Sequence, residues 1–256
     1  MGTSFTSLKS IAGNNGSGPI VVDADGGIWS LNNYNGASLN FTRHSSPPFT
    51  PLGVAGDQRG LIAFGGSDRR LLAYTTSPSP SASWNSLPPA PFVITDIVGD
   101  VQLGVAIYGG ADNRQVACLP VFLGQWRTLQ SSEAPITAFT GENSRGLAIA
   151  MGRVVAIMTS YAQNTWTRLL AQTSFDIVAL AGENSRGVFA CGGSKAAYLD
   201  NYNASAFSSL REAPCTLQAV SGNNVTGVVA VGGADSNLVV CLQSYTPGTF
   251  WGLLSG

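Results

Sequence analysis

An identical hexapeptide, Gly-Glu-Asn-Ser-Arg-Gly, occurs twice in the chain, at residues 141–146 and 182–187. An identical segment recurring at this distance indicates a repeat array, which constrains the fold more than any local pattern does. Alignment on this turn gives six copies at a spacing of 40–43 residues, which suits a unit of four β-strands. The copies begin at Gly13, Gly56, Gly99, Gly141, Gly182 and Gly222.

Each copy has the same internal order of apolar runs and turns. One short apolar run precedes the hexapeptide (strand a) and a second follows it (strand b), as at 136–140 and 147–150. A Gly pair closes strand b in most copies, and a polar turn then leads to a third apolar run (strand c). An aromatic residue with leucine three positions later marks a more polar strand d, although the first copy has His44 in place of that leucine. Continuous apolar runs predict that strands a and b are buried on both faces.

These features predict an all-β protein, a six-bladed β-propeller of four-stranded antiparallel blades, with strand a at the axis and strand d facing solvent. We expect residues 1–256 to form a single propeller domain. Residues 4–8 match the strand d pattern of 206–210, so residues 1–10 are expected to hold an extra strand. An unpaired strand of this kind is a route to self-association. The repeats are expected near residues 11–50, 51–93, 94–135, 136–176, 177–216 and 217–256.

The Gly pair that closes strand b, followed by a strand and then an outer tryptophan, as in Gly109-Gly110 and Trp126, resembles the kelch and BNR-like propeller repeats. The resemblance covers nearly the whole chain and implies the propeller fold. Most copies lack the tyrosine that kelch repeats usually carry between these residues, and no complete sialidase Asp-box occurs. The resemblance therefore implies little about function.

Composition argues against several classes of partner. The formal net charge is −1 and no run of Lys or Arg occurs, so a nucleic-acid partner is not expected. No apolar run approaches the length of a membrane span, and no signal peptide is visible, which leaves the compartment undetermined. The cysteines have no metal-binding spacing and are interpreted as free thiols: Cys118, Cys191, Cys215 and Cys241.

The sequence offers little for catalysis. His44 is the only histidine, and we expect it to be solvated on an outer strand. Paired carboxylates are the remaining option, for glycoside hydrolysis, but Asp68, Asp112 and Asp235 recur at one equivalent turn, which indicates turn chemistry. We therefore predict no enzyme activity and no cofactor. The candidate carboxylates are Asp23, Asp25, Asp68, Asp100, Asp112 and Asp235.

The turns between strands b and c carry the best candidates for binding. In a propeller these turns and the d–a connections lie at the same ring face, where ligands usually bind. We predict a non-enzymatic recognition module that binds a glycan or a protein through this face. The alternatives are a structural subunit of an extracellular or virion assembly and a glycoside hydrolase. The candidate ligand-binding residues are Asp68, Arg69, Arg70, Asp112, Asn113, Arg114, Arg153, Lys195, Asp235 and Asn237.

Overall fold

The computed structural model of the protein describes residues 7–14, 18–32, 40–120, 124–142, 146–182, 187–223, 227–233, 237–245 and 249–255. Over these ranges the ordered secondary structure is β-strand, without a helix. The strands are β1 (Leu8–Asn14), β2 (Gly18–Asp23), β3 (Ile28–Asn32), β4 (Asn40–Arg43), β5 (Pro51–Asp57), β6 (Gly60–Gly65), β7 (Leu71–Thr75), β8 (Asn85–Ser86), β9 (Ile94–Asp100), β10 (Gly104–Gly109), β11 (Gln115–Pro120), β12 (Arg127–Thr128), β13 (Ala138–Glu142), β14 (Gly146–Met151), β15 (Val154–Met158), β16 (Thr167–Gln172), β17 (Ala179–Ala181), β18 (Val188–Gly192), β19 (Lys195–Leu199), β20 (Ser208–Ser209), β21 (Leu217–Asn223), β22 (Gly227–Gly232), β23 (Leu238–Leu242) and β24 (Gly252–Ser255).

The strands form six sheets of four, and each sheet takes four consecutive strands of the chain. We number these sheets as blades 1 to 6, beginning with β1–β4. Within a blade the strands pair in sequence order and antiparallel, so they correspond to strands a to d. The predicted all-β, six-bladed propeller of four-stranded antiparallel blades is confirmed.

Burial follows the polarity gradient of the sequence. Every residue of strands b such as β2, β6 and β10 is buried, as expected for continuous apolar runs. The d strands β8, β12 and β20 have only two residues each, and all six are exposed. Short, polar outer strands limit the unpaired backbone that a sheet edge presents to other chains.

The core lies between the blades. Among the described residues it consists of six clusters, and each cluster joins two consecutive blades. Between blades 2 and 3, for example, Ile62 and Phe64 pack with Ile97 and Ile107. Burying each such aliphatic side chain contributes roughly 1.5–3 kcal/mol, so a blade is stable only beside its neighbours.

Within the described residues, the ring closes without an exchange of strands. Blade 1 comes from the N-terminal part of the chain and blade 6 from the C-terminal part, with β24 as its outer strand. Side chains join the two blades: Leu8 and Ile11 pack in one cluster with Val231 and Leu254. The Ser221 hydroxyl also donates a hydrogen bond of 2.6 Å to the Gly13 carbonyl. The extra strand expected within residues 1–10 falls mostly on residues 1–6, which lie outside the described ranges; Leu8 itself belongs to strand a.

Tryptophans link the outer rims of neighbouring blades. Four of the five tryptophans stand immediately before a strand d, one residue earlier than the sequence pattern suggested, and the leucine three positions later is buried. In the last blade Trp251 takes this place, whereas Phe250 is 67% exposed. The indole N–H groups donate to backbone carbonyls of the preceding blade: Trp84 to Ser45 (3.1 Å), Trp126 to Pro88 (3.0 Å), Trp166 to Gln130 (2.8 Å) and Trp251 to Arg211 (2.9 Å).

The first glycine of every hexapeptide copy has a backbone conformation that other residues avoid. These six glycines have φ values from +87° to +132°. A side chain at this position would also collide with a carbonyl oxygen on the facing strand of the a–b hairpin. A Cβ on Gly141, for example, would collide with the carbonyl oxygen of Gly146. The repeat therefore encodes a backbone geometry. The central residues of the two identical copies, 143–145 and 183–186, lie outside the part of the chain that the structure describes.

Candidate functional site

The b–c turns and the d–a loops meet at one face of the ring. Their backbones are hydrogen-bonded in the same way in blades 2 to 5: the Ala90 amide donates to Arg70, Ser132 to Arg114, Thr173 to Arg153 and Ala213 to Ser194, at 2.8–3.1 Å. The same turns also bind the first residue of the next blade, since Ile94 donates to the Arg69 carbonyl at 3.0 Å. We call this surface the loop face. Its backbone is fixed by hydrogen bonds on both sides.

Asp68 and Asp112 stabilise their own turns. The Asp68 carboxylate accepts a hydrogen bond from the Arg70 amide at 3.1 Å, and Asp112 accepts one from Arg114 at 3.2 Å. Arg69, between the first pair, has φ +54°. Aspartate at such a position favours the turn through its side-chain-to-backbone bond. The third equivalent residue, Asp235, lies outside the described residues.

The candidate arginine and lysine residues differ in whether their charged groups are already bound within the protein. The Arg70 and Arg114 Nε atoms donate to the Ala90 and Ser132 carbonyls at 2.7 and 2.9 Å, so both side chains brace the loop face. Arg153 pairs with Asp176 at 3.0 Å, an exposed ion pair of small energetic value. Arg69 and Lys195 are exposed and make no side-chain hydrogen bond within the described residues.

The remaining two described candidates, Asn113 and Asn237, are both half-buried. Asn113 accepts a hydrogen bond from the Thr95 hydroxyl at 2.6 Å, and Thr95 lies at the mouth of the axial channel. None of the nine described candidates lines the channel itself, so the structure places them around the ring face and does not gather them into one pocket.

Sequence reasoning missed the apolar residues of the loop face. Leu71, Val93 and Val178 are 38%, 45% and 46% exposed, and each begins a strand or ends a loop at this face. Backbone hydrogen bonds join Arg69 to Ile94 and Arg70 to Ala90. Leu71 and Val93, which are adjacent in sequence to these residues, therefore lie near Arg69. In sequence these residues resemble the other strand-forming aliphatics, and only the three-dimensional arrangement shows that they are solvent-exposed.

An axial channel of about 470 Å³ runs along the six strands a. Each strand contributes five successive residues to the wall, and β5 and β9 each add a sixth, Asp57 and Asp100. The five positions shared by all strands form five layers, which we number from the loop face. The second layer is Ser10, Gly53, Asp96, Ala138, Ala179 and Ala219; the third is Ile11, Val54, Ile97, Phe139, Leu180 and Val220; the fifth is the six glycines of the hexapeptides.

Asp96 is the one charged residue of the second layer, and sequence reasoning did not select it. Its carboxylate accepts a hydrogen bond from the Ile97 amide at 2.9 Å and stands across the sheet from Tyr108. Loss of water around this carboxylate raises its pKa to about 6, and the hydrogen bond from Ile97 offsets part of the effect. The signal in the sequence was an aspartate at a position where the other repeats have Ser, Gly or Ala.

Several groups that could serve catalysis are engaged in turns or buried. Asp23 accepts hydrogen bonds from the Gly27 and Asp25 amides at 2.6 and 3.0 Å and from the Trp29 indole at 2.7 Å, which explains the Asp-x-Asp-Gly segment as a turn. Burial raises the pKa of Cys118 to about 11 and that of Cys191 to about 12, so neither thiol is a ready nucleophile. The described residues contain no cluster of His, Cys, Asp or Glu that could hold a metal ion.

The expectation that His44 is solvated was wrong. His44 is 7% exposed and occupies the leucine position of blade 1, because its amide donates to the Ile28 carbonyl as Leu87 does to Leu72. Among the residues that the structure describes, neither ring nitrogen has a hydrogen-bond partner. Burial lowers the pKa of this imidazole, with a smaller opposing effect from the Ser79 backbone.

Replacing His44 with leucine is expected to stabilise the protein by about 1–2 kcal/mol, because an unsatisfied buried polar ring is removed. The folded state disfavours protonated His44, so the unfolded chain binds more protons below pH 6.5 and the wild type loses stability there. The advantage of the variant should therefore grow as the pH falls from 7 to 5. Urea unfolding at several pH values measures it, and Leu87→His in blade 2 serves as the reciprocal control. A pH-independent difference would contradict this explanation.

No protein-family model matches the chain, and no curated protein matches its sequence. Solved propeller structures are similar to it. The WD40 propeller domain of Doa1 has a TM-score of 0.66 at 8% identity over 100% of this chain and 85% of that one. The WD40 repeats of RRP9 give 0.64 at 14% identity over 95% and 78%, and YCF48 bound to D1 peptide gives 0.60 at 13% over 98% and 81%. At such identities the similarity shows the fold alone, and a specific relationship to kelch or BNR repeats is not shown.

No helix in the described ranges has the length and apolar character needed to cross a membrane.

Proposed function

We propose that the protein is a recognition module that binds a protein partner through the loop face. The observation that carries the proposal is a mixed patch of exposed Arg69, Leu71 and Val93 on backbone that is hydrogen-bonded from both sides. The buried core of a protein interface is more apolar than the rest of the surface and is enriched in arginine. A rigid backbone lowers the entropy lost on binding.

The geometry of the patch follows from its hydrogen bonds. Arg70 is fixed to Ala90 through both its backbone carbonyl (2.9 Å) and its side chain (2.7 Å). The Ile94 amide binds the Arg69 carbonyl at 3.0 Å. The turn that carries Arg69 and the loop that carries Val93 therefore move as one unit. Arg69 is free to contact a partner because Arg70 performs the structural role.

The similar solved structures support a protein partner over the other candidates. Two of them are WD40 propellers, and YCF48 was solved with a bound peptide. Lectins commonly offer exposed aromatic platforms, but the tryptophans of this chain are half-buried and donate their N–H groups within the protein. The exposed ring of Phe250 is covered by the Arg211 guanidinium, 4.0 Å from the ring centre. A glycoside hydrolase would need two facing carboxylates, whereas Asp68 and Asp112 bind their own turns. No observation favours a virion subunit.

Selection of peptides from a random display library on the immobilised protein tests the proposal. We expect the selected peptides to lose at least tenfold in affinity for Arg69→Glu and for Val93→Asp. They should lose less than twofold for Arg168→Glu, a matched charge reversal on the exposed outer strand β16. Equal affinity for all three variants would exclude the loop face. Saturable binding on a glycan array, with no peptide recovered, would overturn the choice of a protein partner.

A further inference from the structure

We infer that the channel mouth at the loop face is a site for one basic side chain of the partner, with Asp96 as the counter-ion. The chemical class of the ligand is an alkylammonium or alkylguanidinium group. This inference rests on the proposed function in one respect: the channel opens at the face that the partner is proposed to cover.

The wall around Asp96 is neutral and small. The other members of the second layer are Ser10, Gly53, Ala138, Ala179 and Ala219, none of which carries a charge or fills the channel. The position therefore combines space with a single negative charge.

The cations that line the channel are engaged elsewhere. Arg59 pairs with Asp57 at 2.7 Å, at the end of the channel opposite to the loop face. Lys9 belongs to the first layer, but its ammonium group donates to the Ala24 carbonyl at 2.9 Å. Lys9 is on blade 1 and Asp96 on blade 3, which are not neighbours in the ring. Asp96 thus has no cationic partner among the described residues.

The groups around the carboxylate cannot neutralise it. Thr95 lies above it, Tyr108 stands opposite it in the sheet, and the Tyr108 ring meets Phe139 of blade 4 at 5.4 Å. Thr137 lines the mouth on the same side. Burial and the nearby Asp96 charge both raise the pKa of Tyr108, which stays a neutral phenol. Asp96 is half-buried, and a carboxylate with reduced hydration and no ion partner gains from a cation that enters from solvent.

The depth of the site suits a long basic side chain. Residues rise about 3.3 Å along a strand, so the second layer lies only about 3–7 Å below the mouth. A lysine or arginine stem spans that distance. Below it, the third layer lines the channel with six apolar residues, each at most 9% exposed because its side chain packs between two blades.

The test uses n-butylammonium as the probe and 1-butanol as its neutral counterpart. We expect 50 mM n-butylammonium to lower the pKa of Asp96, followed by carboxyl NMR, by at least half a unit, because the cation stabilises the carboxylate. 1-Butanol should leave it unchanged. Binding of n-butylammonium should be lost in Asp96→Asn and kept in Asp100→Asn, a matched change in the a–b turn at the other end of the channel. Thermal melts confirm that both variants fold.

Two results would overturn the inference: an Asp96 pKa that does not respond to n-butylammonium, or equal loss of binding in Asp96→Asn and Asp100→Asn. These outcomes are separate from those of the peptide selection. Peptides that depend on Arg69 and Val93 but not on Asp96 would leave the proposed function intact and remove the channel site. Binding of n-butylammonium at Asp96, with no peptide that depends on Arg69, would support the channel site and contradict the proposed function.

Discussion

Gly141→Ala is expected to lower the stability of the protein by about 2–5 kcal/mol, a fall of roughly 5–15 °C in Tm. The backbone of Gly141 has φ +131°, which L-residues rarely adopt. An added Cβ would lie 2.6 Å from the Gly146 carbonyl oxygen and 2.9 Å from the Leu147 Cα. Both obstacles are backbone atoms of a paired strand, so they cannot move aside without breaking the a–b hairpin.

Gly152→Ala is the matched control. Gly152 also has a positive φ, +66°, but no atom lies within 4 Å of the position that the new Cβ would take. The same substitution there carries only the strain of a left-handed residue, about 1–2 kcal/mol. Thermal and urea unfolding of the two variants separate the two effects. If both cost the same, the close approach of the hairpin strands does not explain the repeated glycine.

Removing residues 249–256 is expected to abolish cooperative folding or to lower Tm by more than about 10 °C. The deletion removes β24, which pairs with β23 at Val240 and Cys241. It also removes Trp251 from the cluster between blades 5 and 6, and Leu254 from the cluster that closes the ring. Loss of a buried Trp or Leu side chain alone costs about 2–5 kcal/mol each.

Leu253→Ser provides the control for this truncation, because Leu253 is in the same strand but 62% exposed. Its effect on stability should stay within about 0.5 kcal/mol. Circular dichroism melts of the two proteins give the comparison. A truncated chain that melts like the full one would mean that another segment replaces β24, and the strand-like residues 4–8 would then be the candidate.

The fold could be predicted from the sequence because the same local patterns recur through the six repeats. One glycine at the head of the a–b turn is weak evidence, but six at a regular spacing identify one backbone geometry. The aromatic residue that marks strand d was equally legible, since it recurs from repeat to repeat; the hydrogen bonds of Trp126 and Trp166 to the preceding blade appear only in the structure.

The candidate site was harder to predict because the same residue types serve turns and ligands. Arg69 and Arg70 are adjacent in sequence, yet Arg70 binds the Ala90 carbonyl while Arg69 stays in solvent. Only the backbone conformation of the turn separates them. Asp96 was hard to recognise for another reason. It differs from the small residues at the same position of the other repeats, but this difference indicates a site only once its strand is known to line the channel.

His44 shows how repeat logic can outweigh residue type. Histidine is usually found at partly exposed positions, but this one stands at a register position that other copies fill with buried leucine. Its place in the repeat was the better guide to its burial than its polarity.

The use of four consecutive strands for each of the six described sheets has a consequence for the ancestry and engineering of the chain. A circular permutation at any junction between blades would keep all six of these sheets whole. Duplication or loss of one unit of the gene would likewise add or remove a complete module, so ring size in such a lineage is free to change in single steps.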